Sequence, residues 1–192
     1  MNHLVVFAHP RPGSFVRQLV GAYVDELERC GHAVTVRDLY TMGFNPVLSE
    51  AELAGTGTVP DDVRAEQELI RAAHAITFAF PIWWASMPAI LKGYVDRVLT
   101  YGFAWRMRGE SPEGGLTGRK GVLITSSGAP MEYLAASGEM RAFTVTQDQA
   151  IMGLCGLTVV AHLHCAGLGP ETTSEDVDEH LARVRRLVAD HF

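Results

Sequence analysis

The 192-residue sequence predicts a single α/β domain, residues 1–192, in which a five-stranded parallel sheet carries helices on both faces. Three observations carry this. Short runs that are apolar at nearly every position, such as 4–8 (LVVFA) and 75–80 (AITFAF), have the character of strands buried on both sides. Between them lie stretches whose apolar residues recur at helical spacing. The junctions are rich in Gly, Pro and Ser, which punctuate elements.

Taken in order, 4–8 is the first strand, ended by the turn-rich HPRPGS. A helix follows from Phe15, with Phe15, Val16, Leu19, Val20, Tyr23, Leu27 and Cys30 on one face and Arg17, Asp25, Glu26 and Arg29 on the other; Gly31 closes it. Residues 33–37 (AVTVR) alternate like an edge strand, and 39–58 read as one long irregular connection. A helix over 61–73 leads to the strand 75–80, which Pro81 ends, and Pro88 suits the first turn of a helix reaching Leu99. The Gly-rich GGLTGRKG enters a fourth strand at 122–125, followed by a helix over 139–154, a strand over 158–163, and a closing helix marked by Val177, Leu181, Val184 and Val188. Five strands and about five helices match the flavodoxin-like order 2-1-3-4-5. A ligand then belongs at the carboxyl ends of strands one, three and four, beside the point where the strand order reverses.

Composition narrows the function. The 16 Lys and Arg against 22 Asp and Glu give a net charge of −6, which opposes nonspecific binding to nucleic acid or anionic lipid. Cys30, Cys155 and Cys165 lie far apart without CxxC spacing, so neither a disulfide framework nor a zinc ribbon is expected, and a cytoplasmic location fits. The first residues are too short in apolar run for a signal peptide, and no stretch reaches the length of a membrane span. Neither GxxxxGK followed by Ser or Thr nor GxGxxG occurs, so nucleoside triphosphatase and dinucleotide fingerprints are both missing.

Three segments fall at the predicted ligand edge. HPRPGSF joins a strand to a helix whose N-cap is Ser14, aiming backbone N–H groups and a positive helix end outward, as an anion site requires. A capped helix after a tight turn would explain the same residues without a ligand. Trp83 and Trp84 follow strand three, where exposed indoles would suit a flat partner, although one of the pair is expected to be core. Thr125, Ser126, Ser127 and Gly128 end strand four with hydroxyls and free backbone fit to hydrogen-bond a heterocycle edge. His162 and His164 share a strand face next to Cys165, but polar residues at a strand end account for them, and no metal site is expected. Glu179 and Arg183 read as a pair on a solvated helix face.

Together, FAHPRPGSF, FNPVLSEAEL, FPIWWASMPAILKGYVDRVLTYGFAW and TSSGAPMEY resemble the NAD(P)H:quinone oxidoreductases, also called DT-diaphorases, from the first strand to at least Gly156. The resemblance implies a tightly held flavin, FAD ahead of FMN, reduced by NADPH or NADH and reoxidised by a quinone. It also implies a homodimer with active sites at the subunit boundary. By motif, His9, Ser14, Phe15 and Val16 would surround the flavin phosphates and ribityl chain, with Gln67 near an adenine. Pro81, Ile82, Trp83 and Trp84 would line the isoalloxazine, and Thr125, Ser126, Ser127, Gly128 and Tyr133 its pyrimidine edge, with Tyr133 as the catalytic hydroxyl. Phe103 and Trp105 would belong to the pocket shared by nicotinamide and quinone. Two positions depart from the family. Val16 stands where many relatives carry Asn, and Glu139 where mammalian members carry His. Similar bacterial proteins include ancillary subunits of potassium-efflux systems, so a regulatory flavoprotein is the alternative to an enzyme, and a flavodoxin-like electron carrier a third.

Overall fold

The computed structural model describes residues 1–192. Five parallel strands form the sheet: β1 (Asn2–Phe7), β2 (Ala33–Asp38), β3 (Ala75–Pro81), β6 (Lys120–Ser126) and β7 (Thr158–Cys165), in the order β2-β1-β3-β6-β7. This is the predicted 2-1-3-4-5 order, counting only strands of the main sheet. The period of two along β1 explains both faces. Leu4 and Val6 pack with Ile76, Phe78 and Leu123 on one side, while Val5 and Phe7 pack with Ala79, Val122 and Ile124 on the other.

Helices complete each layer. On the first face lie α3 (Asp61–Ala72) through Val63 and Ile70, and α4 (Ala89–Val98) through Leu91, Tyr94 and Val98. On the second lie α1 (Phe15–Arg29) through Leu19, Tyr23 and Leu27, and α7 (Ser174–His191) through Val184, Leu187 and Val188. Where Tyr23 and Thr77 bring hydroxyls into this core, they bond each other at 3.1 Å, so neither is left unpaired.

Four local expectations are corrected. The connection 39–58 contains a short helix, α2 (Glu50–Ala54), started by a capping box in which Ser49 and Glu52 satisfy each other's backbone N–H groups. The stretch before β6 holds an antiparallel hairpin, β4 (Trp105–Arg108) and β5 (Ser111–Gly114), turned at Gly109 with φ +65°. Its strands carry Arg106 and Arg108 bonded across to Glu113 at 2.7 and 3.1 Å; Trp105 and Met107 alternate with the arginines over only four residues, and the facing SPEG has no apolar alternation at all. TSSGAPMEY, read as a strand end, runs into α5 (Met131–Ala136). Finally, the helix expected over 139–154 is α6 (Glu139–Phe143) followed by a π-helical segment, Thr144–Gly153. Thr144 and Thr146 return their hydroxyls to the Met140 and Ala142 carbonyls at 3.2 and 2.8 Å, competing with the α-helical ladder where it widens.

The long connection is tied down by one buried cation. Arg97, on α4, bonds Glu52 at 2.8 Å, Asp62 at 2.7 Å and the Asn45 carbonyl at 2.8 Å, joining α2, α3 and the loop before α2. Close approach helps: a Cβ on Gly93 would overlap the Pro46 backbone.

Candidate active site

Between the carboxyl ends of β1, β3 and β6 lies a cleft of about 210 Å³, lined by His9, Phe15, Val16, Pro81, Ile82, Trp83, Ser126, Ser127, Gly128 and Leu168. Larger hollows lie elsewhere, but this one sits at the strand-order reversal, where parallel sheets bind ligands. Its floor at the β1 end is the start of α1. The Ser14 hydroxyl accepts from Arg17 N at 3.3 Å, which leaves the Phe15 and Val16 N–H groups without a partner in the chain. Two free donors on the positive end of a 15-residue helix suit a phosphate.

His9 adds a third donor. Its Nδ1 accepts from Arg11 N at 3.0 Å, so the neutral ring carries its hydrogen on Nε2. Burial, reinforced by the nearby Arg11 and Arg17 charges, holds its pKa below the ordinary value, while the Arg11 backbone contact pulls the other way. The imidazole packs edge-on against Trp83, ring centres 5.5 Å apart.

The β3 wall ends in a strained turn. Trp83 and Ser86 exchange backbone hydrogen bonds at 2.9 and 3.0 Å, which places Trp84 and Ala85 at the two central positions with φ 51° and 56°. That geometry ordinarily calls for Asn-Gly. It leaves Trp84 fully exposed and Trp83 40 % exposed, so neither indole is core, contrary to expectation. Strain of this kind gathers at ligand clamps. Ala85→Gly is expected to raise stability by about 1 kcal/mol by relieving the left-handed alanine, as read by denaturant unfolding; an unchanged midpoint would argue against strain at this turn.

The family profile described as flavodoxin-like fold matches residues 1–188. The human ribosyldihydronicotinamide dehydrogenase [quinone] is 34% identical over 195 residues, spanning 90% of this chain and 84% of that protein. The chain belongs to the NAD(P)H:quinone oxidoreductase family. Among solved structures, the NAD(P)H:quinone oxidoreductase from Methanothermobacter marburgensis superposes with a TM-score of 0.89 at 31% identity, covering 100% of this chain and 98% of that one. The general stress protein 14 of Treponema denticola, solved in complex with FMN, gives a TM-score of 0.65 at 26% identity over 98% and 97% of the two chains.

Against the family's motif, the cleft gathers His9, Phe15, Val16, Pro81, Ile82, Trp83, Ser126, Ser127 and Gly128, with the Ser14 cap directly beneath. Other expected residues lie outside its lining. Thr125 is fully buried, its hydroxyl held between His162 and His164. Gln67 is also buried and spends its amide on the Val98 carbonyl and the Thr100 hydroxyl, at 3.0 and 3.2 Å, so no amide hydrogen is free for an adenine. Phe103 and Trp105 sit at the base of the β4–β5 hairpin. There Arg71 stacks over Phe103, and Trp105 meets Tyr101 edge-on beside a separate apolar hollow of about 520 Å³. Tyr133, on α5, is exposed and makes no side-chain hydrogen bond; Glu139 receives one from Ser137 at 3.3 Å and none from Tyr133.

Sequence reasoning missed Leu168, whose carbonyl lies 3.2 Å from where a Gly128 Cβ would stand and which closes the cleft from the loop after β7. No local pattern marks it. Arg183 was misjudged: it pairs not with Glu179 but with His180 and the His164 carbonyl, each at 3.1 Å, fastening α7 to β7. Cys165 faces the core layer of α1 and α7, with burial pushing its thiol up to about 11, so it does not converge with the two histidines on a metal. No helix is long and apolar enough to cross a membrane.

Proposed function

We propose that this chain is a flavin-dependent NAD(P)H:quinone oxidoreductase that works as a homodimer. The observation that carries the proposal is the cleft itself. Free N–H groups at the start of α1 offer a seat for a phosphate, and across the same cleft Trp83, Pro81 and Ile82 offer a flat apolar wall. The Gly128 N–H, also unpartnered within the chain, and the Ser127 hydroxyl supply polar contacts for the edge of a heterocycle. A flavin bound there supplies reversible hydride transfer, and the protein supplies orientation and hydrogen bonds.

Phosphate groups would be held by the Phe15 and Val16 N–H groups and His9 Nε2, with Ser14 fixing the helix start. Val16 offers only its backbone, since its side chain is buried among Val5, Phe7 and Leu19. Trp84 would cover the ring from the strained turn, Thr125 would support Ser126 and Ser127 from below, and Tyr133 would face the pyrimidine edge. Phe103 and Trp105 would complete the nicotinamide and quinone pocket across the subunit boundary. The exposed Tyr101 and Met107 around that hairpin suit such a contact.

The purified protein is expected to be yellow, or to quench added flavin fluorescence, and to oxidise NADH or NADPH with menadione or benzoquinone. No flavin binding would overturn the proposal. Because the Gln67 amide is already engaged, an adenylate adds little: FAD is expected to bind ahead of FMN by less than about tenfold, or ~1.4 kcal/mol. Ser14→Ala should weaken either flavin by about 0.5–2 kcal/mol, the range for a lost helix cap; unchanged affinity in a fluorescence titration would count against phosphate binding at this helix.

A further inference from the structure

An unbroken hydrogen-bonded chain runs beneath the cleft, through Asp148, His162 and His164, which flavin binding does not explain. Asp148 Oδ1, on the π-helical segment, lies 2.8 Å from His162 Nδ1. His162 Nε2 lies 3.0 Å from Thr125 Oγ1, which lies 2.8 Å from His164 Nδ1. His164 Nε2 lies 2.9 Å from Ser127 Oγ, and Ser127 Oγ borders the cleft. Thr125 and His164 are buried, whereas the Asp148 side chain keeps 12% exposure at the far end.

We propose that Asp148, His162, Thr125 and His164 form a proton relay ending on Ser127, which brings a solvent proton into the cleft for quinone reduction. The inference rests on the functional proposal above. Its stoichiometry follows from the chemistry: NAD(P)H gives up a hydride, and a quinone becoming a hydroquinone takes that hydride and one further proton. Each turnover therefore consumes one proton from water.

The chain has two polarities that satisfy every contact. In the discharged one, His162 donates through Nδ1 to Asp148, Thr125 donates to His162 Nε2, His164 donates through Nδ1 to Thr125, and Ser127 donates to His164 Nε2. Adding one proton at His162 Nε2 reverses it, once the Thr125 and Ser127 hydroxyls turn and His164 exchanges its Nδ1 hydrogen for one on Nε2. His162 Nε2 then donates to Thr125, Thr125 to His164 Nδ1, and His164 Nε2 to Ser127, whose own hydrogen is free for the cleft or for the Ala129 carbonyl 3.3 Å away. Delivery moves one hydrogen across each link from His162 to Ser127 and on into the cleft, restoring the discharged state, while the hydrogen shared with Asp148 stays on His162 Nδ1.

His164 must pass the proton without holding it. Burial, with the charges of His162, Arg183 and His180, lowers its pKa to about 4, so it stays neutral in both polarities. Around the chain, the titratable or charged groups are Asp148 on the π-helical segment, and Arg183 and His180 on α7, with Arg183 bonded to the His164 carbonyl. Arg186, Asp190 and His191 of α7 border the β7 backbone at His162. Only Asp148 touches the His162 ring with a charge, so it is the carboxylate that stabilises the loaded imidazolium.

The test uses the flavin-loaded protein and His162→Gln, in which an amide keeps hydrogen bonds but cannot carry a proton through. Turnover with menadione is expected to fall roughly 10- to 100-fold, at or below the low end of the contribution of a positioned acid–base group, with flavin affinity within about twofold of wild type. Turnover of this variant should lose the wild-type dependence on pH. Asp148→Asn, at the more exposed end, guards against a folding defect and should lower turnover by roughly threefold to tenfold. A second readout needs no flavin or turnover: imidazole ¹⁵N spectra should show His164 passing from Nδ1–H to Nε2–H as His162 protonates, and His162→Gln should freeze it in one tautomer. A His164 tautomer that does not respond to pH, or both variants keeping the wild-type pH profile, would overturn the relay. Failure to bind flavin would instead remove the functional proposal, leaving the tautomer exchange to decide whether the proton chain exists.

Discussion

Replacing Arg97 by Met is expected to destabilise the protein by about 3 kcal/mol, measured by urea unfolding. Opening a buried ion pair costs about 3–5 kcal/mol when it strands a charge, and the Arg97 side chain is only 5% exposed among two carboxylates and the Asn45 carbonyl. The lower end applies because Asp62 is half exposed and can rehydrate, as surface partners do. Glu52 cannot do so as easily, and it also caps α2. Adding Glu52→Gln to the Arg97→Met protein should therefore recover part of the loss. A cost below about 1 kcal/mol, the value of an exposed pair, would show that the cluster is hydrated in solution.

The same cluster sets an acid dependence. Burial alone would raise the Glu52 carboxyl, but hydrogen bonds from Ser49 and Arg97 outweigh it and the pKa falls below its ordinary value. Asp62 is lowered chiefly by its hydrogen bond from Arg97. Lowered folded-state values mean that the stabilisation is complete above the unfolded carboxylate range, near pH 4, and is lost as pH falls through the folded values. Wild type and Arg97→Met should thus converge in stability toward acid pH.

How much of this could be read from sequence depends on where the signal lies. The parallel sheet was legible because its strands are apolar on both faces, and Val5–Phe7 against Leu4–Val6 needed no partner to announce burial. Ser14 was legible because a capping hydroxyl acts on its own next three residues. The β4–β5 hairpin was not, since the alternation of Trp105 and Met107 with arginines is only four residues long and the facing SPEG looks like loop. Nor was the π-helical segment, which places Asp148 beside His162 from fourteen residues away. The role of Thr125 was misjudged for the same reason: its strand position was clear, but which way its hydroxyl is claimed depends on His162 and His164 from the neighbouring strand.

Tyr133→Phe is expected to slow flavin reduction roughly 10- to 100-fold, somewhat less than loss of a full oxyanion-hole donor. A bound flavin would gain negative charge on accepting hydride, and a hydroxyl such as that of Tyr133, held against it as a donor, would lower the barrier. Tyr133 has a hydroxyl with no side-chain partner to give up, on an α5 that starts at the Ser126–Pro130 loop bordering the cleft. The relatives' His six residues on is Glu139 here, and its carboxylate is engaged by Ser137 and not by Tyr133. Glu139→Gln should therefore change flavin reduction by less than about threefold, or ~0.65 kcal/mol. Stopped-flow reduction by NADH or NADPH reads this step apart from quinone turnover, which separates Tyr133 from the Ser127 relay: His162→Gln should slow the second half-reaction and spare the first. Should Glu139→Gln prove as damaging as Tyr133→Phe, the two side chains act as a coupled pair in solution, and Tyr133 does not act as a lone donor.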